Sequence, residues 1–296
     1  MRCWLVALAV VLLLPQPAAA LTITDQTGRR IDLARPPARI ISLVPSVTEI
    51  LFTIGAQGRL VGRTDFCDYP AEARRKPSVG GMLAPSLEGI VALRPDLVVA
   101  TTAGNRHETF DQLERLKIPV FLVDPVTVSD VMDLLERLGR LTERSEAADR
   151  TVGAMRERID AVAARVSGRP RPRVLYVLWP DPLIVPGRGA LISELIALAG
   201  GDSVTADGGQ EYPRYSMEAA LARNPEVIIL ASHGSEQSPL VRAKWERFGQ
   251  VPAIAAGRLY SMDGNLMHRY GPRMVDGLER LARLIHPEAF EKAAVR

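Results

Sequence analysis

Cysteine, histidine and aromatic side chains are all scarce in this chain of 296 residues. There are two cysteines, Cys3 and Cys67. Cys3 sits in an N-terminal apolar stretch that reads as a removable leader, so Cys67 would remain alone. A lone cysteine can form neither an internal disulfide nor a cysteine-based metal site, and a buried, inert thiol is expected. The four histidines, at 107, 233, 268 and 286, are too few for a His-rich zinc or manganese receptor. A dominant charge is missing as well. Lys+Arg 37 against Asp+Glu 34 leaves +3 with no long basic run, which argues against nucleic acid as a partner. Catalytic signatures are also missing. No G-x-S-x-G elbow is present. Gly187 and Gly189 lie between a strand pattern and a helix pattern, but position 192 is Ile, not the third glycine of a dinucleotide fingerprint. Asp65 and Asp68 read as a solvated turn. No enzyme is expected, with a secreted α/β enzyme kept as the alternative of another class. Apolar content of 47% with 23 Gly and 22 Pro excludes collagen-like and disordered chains.

What is present begins with the leader. Residues 1–20 carry Arg2, an apolar run from Cys3 to Leu14, then Pro15, Pro17 and Ala18-Ala19-Ala20. This is the pattern of a secretory signal cut after Ala20, and the run is short for a membrane span of about 20 residues. No cysteine follows at a lipoprotein position. An exported, periplasmic protein is expected.

Strand and helix patterns then alternate. Thr22 to Leu33 reads as a β-hairpin around Gly28. Arg39 to Val44 is a short apolar run suited to a parallel strand, followed by a helix for which Ser46 is the expected cap and Gly55 the stop. Residues 86–100 give a helix capped by Ser86, then Pro95, then a strand. Residues 115–124 give a helix end and a further strand. The rhythm breaks at 129–166. Ser129 is the expected cap of one helix. Val152, Met155, Ile159, Val162 and Val166 then form a stripe at alternating spacings of three and four, predicting a helix from Ser145 to Ser167 of about 30 Å. Gly168 to Pro172 ends it, and alternation restarts with a strand over 173–179 and a helix over 191–201. The fold class expected is α/β: two Rossmann-like lobes with central sheets flanked by helices, joined by a long backbone helix. The lobes are expected at 21–128 and 169–296, with the linking helical segment at 129–168.

An internal repeat supports two lobes. "SLEGIVALRPDLVVA" at 86–100 matches "SMEAALARNPEVIILA" at 216–231. Ser86 aligns with Ser216, Glu88 with Glu218 and Pro95 with Pro225, and an apolar strand follows each. Two copies are too few for a solenoid but suit a duplicated α/β lobe. A cleft between lobes is a preferred ligand site. Glu88 and Glu218, near helix N-termini, either complement the helix dipoles or present two matched negative points to one partner.

These segments, with "RIISLVPSVTEILFTIGA" at 39–56, "DYP" at 68–70, "LISELIALAGG" at 191–201 and "HRYGPRMVDGLERL" at 268–281, resemble the long-helix (cluster III) periplasmic substrate-binding proteins of ABC importers. The resemblance spans about residues 38–287, and is strongest to the cobalamin-binding branch; other branches bind haem or ferric siderophores. It implies a monomeric transport receptor with small hinge motion, no catalytic cofactor, and a corrinoid ligand. It also implies that Glu88 and Glu218 dock on arginines of a dimeric inner-membrane permease. Carried over by position, the ligand residues would be Phe66, Met82 (where a ring is usual), Asn105, Trp179, Tyr212, His268, Arg269 and Tyr270. Aromatic faces with a few polar tips suit a flat macrocycle with an apolar body and amide edges. Haem is the alternative ligand, for which Tyr69, Tyr212, Tyr270, His107 or His268 would face the iron.

Overall fold

The computed structural model describes residues 21–232 and 239–291. The expected leader at 1–20 and His233 lie outside the described residues. Strands β1 (Leu21–Thr24) and β2 (Arg30–Leu33) form the antiparallel hairpin, with Leu21 opposite Leu33. Gly28 takes φ +85°, and the buried Asp25 carboxylate accepts from the Thr27 and Arg29 N–H groups at 3.0 and 2.9 Å. Its other oxygen accepts from Leu122 N–H at 3.2 Å, tying the hairpin to the first sheet.

That sheet has order β4-β3-β5-β6 and is wholly parallel. Its strands are β3 (Ile40–Ser42), β4 (Leu60–Arg63), β5 (Leu97–Thr101) and β6 (Val120–Val123), connected through α1 (Pro45–Thr53), α2 (Leu87–Ala92) and α3 (His107–Arg115). Next come α4 (Val128–Leu141) and α5 (Ser145–Val166). The second half contains β7 (Arg173–Val177), β8 (Trp179–Pro180), β9 (Leu183–Ile184), α6 (Leu191–Leu198), β10 (Asp202–Ser203), α7 (Met217–Leu221) and β11 (Val227–Ser232). It finishes with α8 (Pro239–Glu246), α9 (Pro252–Ala255), β12 (Leu259–Asp263), α10 (Asn265–His268) and α11 (Met274–Ile285). Its main sheet, β10-β7-β11-β12, is again parallel. The architecture is the expected α/β one, with parallel sheets flanked by helices.

Several local expectations need correction. Helix α1 starts at Pro45, with Val44 as an extended N-cap and no side-chain cap; Ser46 lies inside the helix. Proline needs no N–H partner in the first turn, so the cap is dispensable there. The cap of α4 is Thr127, not Ser129. Thr127 Oγ1 accepts from Asp130 N–H at 3.1 Å, and Asp130 returns the bond to Thr127 N–H at 2.9 Å, a reciprocal capping box. Strand β7 stops at Val177, two residues short of Trp179. Pro180 cannot donate to a central ladder, and Trp179-Pro180 instead pair with Leu183-Ile184.

Helix α5 is 22 residues long, or about 33 Å. It buries Val152, Met155, Ile159, Val162 and Val166, the stripe read from the sequence, and Ala148 besides. One continuous apolar core runs from Ile40, Leu97 and Phe121 of the first sheet through α4 and α5 to Val174, Tyr176 and Val227 of the second. Separate clusters cover the outer faces. Ile90, Phe110 and Leu113 pack on Ile41, Val98 and Ala100; Ala220 and Trp245 belong to the cluster of Leu175, Val177, Ile228 and Leu230. Cys67 is buried, its Sγ 3.2 Å from Thr64 Oγ1.

The repeat is repeated in three dimensions. Ser86 Oγ accepts from Gly89 N–H at 3.0 Å, and Ser216 Oγ from Ala219 N–H at 3.1 Å. Arg94 and Asn224, each before the proline, take φ +44° and +50°. Asp96 accepts from Arg39 N–H at 3.0 Å, as Glu226 does from Arg173 N–H at 2.9 Å. The Arg39 and Arg173 side chains donate to the carbonyls of Arg94 and Asn224. Ile40 pairs with Leu97 as Val174 pairs with Val227. One hydrogen-bond pattern therefore starts the central strands of both halves.

Candidate functional site

The carboxyl ends of both parallel sheets point toward each other, the place where open α/β sheets receive ligands. Between them lies a cavity of about 730 Å³, within the range of small-molecule sites. From the first half it takes Val44, Pro45 and Ser46 after β3, Thr101 at the end of β5 with Ala103 beyond it, and Val123 at the end of β6 with Asp124 to Val126 beyond it. From the second it takes Leu178, Ile184, Glu211, Tyr212 and the turn His268-Arg269-Tyr270.

Five of the eight sequence-nominated ligand residues converge on this lining: Met82, Tyr212, His268, Arg269 and Tyr270. Met82 lies over the turn after β5. Gly104 permits this, because a Cβ there would come within 1.8 Å of Met82 Cε. Tyr270 holds φ +40°, a left-handed conformation uncommon for a large side chain, and its hydroxyl pairs with that of Tyr212. Tyr176 lies beneath, its Oη 2.9 Å from His268 Nε2, with the two rings edge to face. Burial pushes the Tyr212 phenol up to about 12 and raises those of Tyr176 and Tyr270 further. All three are neutral hydroxyls at neutral pH.

The other three stand apart from the lining. Phe66 and Trp179 expose 59% and 47% of their surfaces. Trp179 Nε1 donates to Asp181 O at 2.9 Å, which fixes that ring without covering it. Asn105 is buried and its amide is used internally. Its Oδ1 accepts from Thr101 N–H at 2.8 Å and its Nδ2 donates to Met82 O at 2.7 Å. Asn105 thus fastens the Met82 loop to the end of β5. Among the candidate iron ligands, Tyr212, Tyr270 and His268 reach the cavity. Tyr69 is not in the lining; the Arg273 guanidinium stacks on its ring, 3.5 Å from the centroid, and the residue stays exposed, while His107 is exposed at the start of α3, against another groove.

Arg269 has a second task that its position in the sequence did not reveal. Its guanidinium donates to Asp68 Oδ1 at 2.6 Å and to Asn265 Oδ1 at 3.1 Å, and lies 3.6 Å from Glu49 Oε1. Arg273 grips Glu49 with both arms, at 2.8 and 2.6 Å. Glu49 comes from α1 and Asp68 from the loop after β4, whereas both arginines belong to the second half. The Glu49 side chain is 2% exposed. This buried network joins the two lobes beside the cavity.

Among the lining residues that went unnoticed in the sequence are its two carboxylates, Asp124 and Glu211. Asp124 closes β6 and Glu211 precedes Tyr212, so they come from opposite lobes. Burial and the Asp124 charge push the Glu211 carboxyl up. An acid directly after an apolar strand, as in Val123-Asp124, was the available signal; Glu211 had none. Glu88 and Glu218 lie away from the cavity, exposed in the first turns of α2 and α7, without ion-pair partners among the described residues. No group of three or more His, Cys, Asp or Glu is placed to hold a metal ion among the described residues.

Comparison with known proteins agrees with this geometry. The periplasmic binding protein family matches residues 40–266. A vitamin B12-binding protein of Salmonella typhimurium is 31% identical over 247 residues, covering 83% of this chain and 90% of the relative. The crystal structure of the periplasmic vitamin B12 binding protein of Vibrio cholerae superposes with a TM-score of 0.76 at 27% identity, covering 87% of this chain and 99% of that one. A periplasmic heme-binding protein from Roseiflexus gives 0.76 at 26% identity, covering 85% and 98%.

Proposed function

Because this chain belongs to the periplasmic binding protein family, we propose that it captures a corrinoid between its lobes and delivers it to the permease of an ABC importer. The observation that carries this reading is the interlobe cavity of about 730 Å³, with apolar walls, neutral phenol tips and the polar groups of Asp124, Glu211 and Arg269 among its lining. Those surfaces suit a macrocycle with an apolar body and uncharged amide edges. The names of the relatives point the same way. Phe66 and Trp179 are the exposed rings that would close on a bound ligand. Residues 21–128 and 169–296 are the two lobes, and 129–168 the link. The core shared across α5 favours a small change of lobe angle over wide opening. Glu88 and Glu218, at equivalent places on the two lobes, would register a two-fold permease dimer. The receptor would act as a monomer in the periplasm.

A haem ligand is the second reading, favoured by the Tyr212–Tyr270 hydroxyl pair and His268 in one lining. Titration of the purified protein with cyanocobalamin, and separately with haemin, decides between them. Micromolar or tighter binding of cyanocobalamin with a red corrinoid spectrum co-eluting on gel filtration is expected. Tight haemin binding with none of cyanocobalamin at micromolar concentration overturns the corrinoid assignment.

A further inference from the structure

We propose that Asp124 and Glu211 are specificity-determining residues, selecting an uncharged, hydrogen-bond-donating macrocycle edge and rejecting an edge that bears carboxylates. This rests on the reading of the cleft as a corrinoid site and states which edge chemistry that site accepts. The two carboxylates belong to the same lining but to opposite lobes. Glu211 makes no side-chain hydrogen bond or ion pair among the described residues. Asp124 is held in place without being neutralised. Its Oδ1 accepts from the Thr102 hydroxyl at 2.5 Å, and its N–H donates to Gln26 Oε1 at 3.0 Å. Neither bond brings a cation.

The lining offers little to offset this charge. Its arginine, Arg269, is spent on Asp68 and Asn265, and lies beside Glu49. The neighbouring Arg273 is spent on Glu49. Glu49 and Asp68 answer these two arginines, the exposed Arg74 that also approaches Asp68, at 3.5 Å, is outside the lining, and His268 is engaged by the Tyr176 hydroxyl. Asp124 and Glu211 therefore set the sign of the cavity. A corrin carboxamide can donate a charge-assisted hydrogen bond to either residue. Asp124 and Glu211 are exposed in the open cleft, and a propionate at the same place would meet a like charge as the ligand displaces the water around it, which is unfavourable. The side chains thus distinguish carboxamide-edged from carboxylate-edged macrocycles of similar size.

The test compares the full-length protein with D124N/E211Q, which keeps shape and removes both charges. Single D124N and E211Q variants stand in should the double variant not fold by circular dichroism. Dissociation constants are measured for cyanocobalamin, for a cyanocobalamin monocarboxylate in which one side-chain amide is hydrolysed, and for haemin. The wild type should prefer the amide form by at least about tenfold, and the variant should lose most of that preference by gaining affinity for the monocarboxylate. Haemin should gain in the same direction. Unchanged discrimination in a variant that still binds cyanocobalamin overturns the inference and leaves the corrinoid reading standing. If the wild type binds haemin and no corrinoid, the corrinoid reading falls, and haemin affinity then judges the charges. A tenfold gain in the variant sustains them, and no gain overturns them. Binding of none of the three ligands overturns both.

Discussion

Replacing Glu49 by glutamine leaves the shape of α1 intact and removes the charge that two arginines of the other lobe share. The carboxylate is 2% exposed and takes both arms of Arg273, at 2.8 and 2.6 Å, with Arg269 3.6 Å away. Removing one member of a buried pair costs about 3–5 kcal/mol, chiefly because the partner stays buried and uncompensated. Arg273 and Arg269 keep 19% and 16% of their side chains exposed. Asp68 remains to balance Arg269, and glutamine retains one acceptor. The lower end, about 3 kcal/mol, is therefore the expected loss. For a chain of this size that lowers Tm by about 6–12 °C. Thermal unfolding of E49Q, R273Q and the double variant checks this. The double variant should be less destabilised than the sum of the singles, with a coupling of about 2 kcal/mol. A Tm loss under about 2 °C, or strictly additive singles, would refute the view that this network holds the lobes together.

Acid should loosen the same junction. Burial pushes the Asp68 carboxyl up, but the hydrogen bond and charge of Arg269, with Arg74 beyond, outweigh it and hold the group below the usual aspartate value. The stabilisation is thus present above about pH 4 and is lost as pH falls through the lowered folded value. The stability curve of D68N should be flatter than that of the wild type across that acid range, and parallel curves would remove Asp68 from the account. Trp179→Ala should weaken ligand binding by about 1–3 kcal/mol, with stability changed by less than about 1 kcal/mol. A loss confined to Tm would make the ring a packing residue. Glu88→Arg combined with Glu218→Arg should abolish transport in a permease-containing membrane assay while ligand affinity stays within about twofold. Parallel loss of both activities would mean the pair serves the fold.

The elements were legible wherever an apolar period met Pro or Gly punctuation. The stripe from Val152 to Val166 allowed only a long helix, and the helix–Pro–strand units located α2–β5 and α7–β11. Caps were harder, because Thr127 and Ser129 are both good cap residues two positions apart. What decided was Asp130, placed three residues after Thr127 to return the bond. The site was legible as a set of loops and not as a set of partners. Asn105 and Arg269 are residue types that bind ligands and residue types that brace loops, and the pattern along the chain is the same for both roles. Their partners, Met82 O at 23 residues and Asp68 at 201 residues in sequence, exist only once the chain is folded.

The duplication explains why the cleft is asymmetric despite matching lobes. With Ser86 aligned to Ser216, Met82 aligns with Tyr212 and Gly81 with Glu211. Equivalent loops, each leading into a serine-capped helix, thus reach the cavity from opposite sides. The first brings a thioether, soft and adaptable, with no charge and no hydroxyl. The second brings a phenol hydrogen-bonded to Tyr270 and a carboxylate that burial has pushed up. The backbone of the repeat is therefore a symmetric frame, set by the shared Arg39 and Arg173 networks. The chemistry is carried by the positions at which the copies diverge. Exchange of Met82 and Tyr212 would preserve both loops and move the hydroxyl to the other lobe. It should change ligand affinity far more than Tm, because neither residue takes part in the hydrogen-bond pattern that the two halves share.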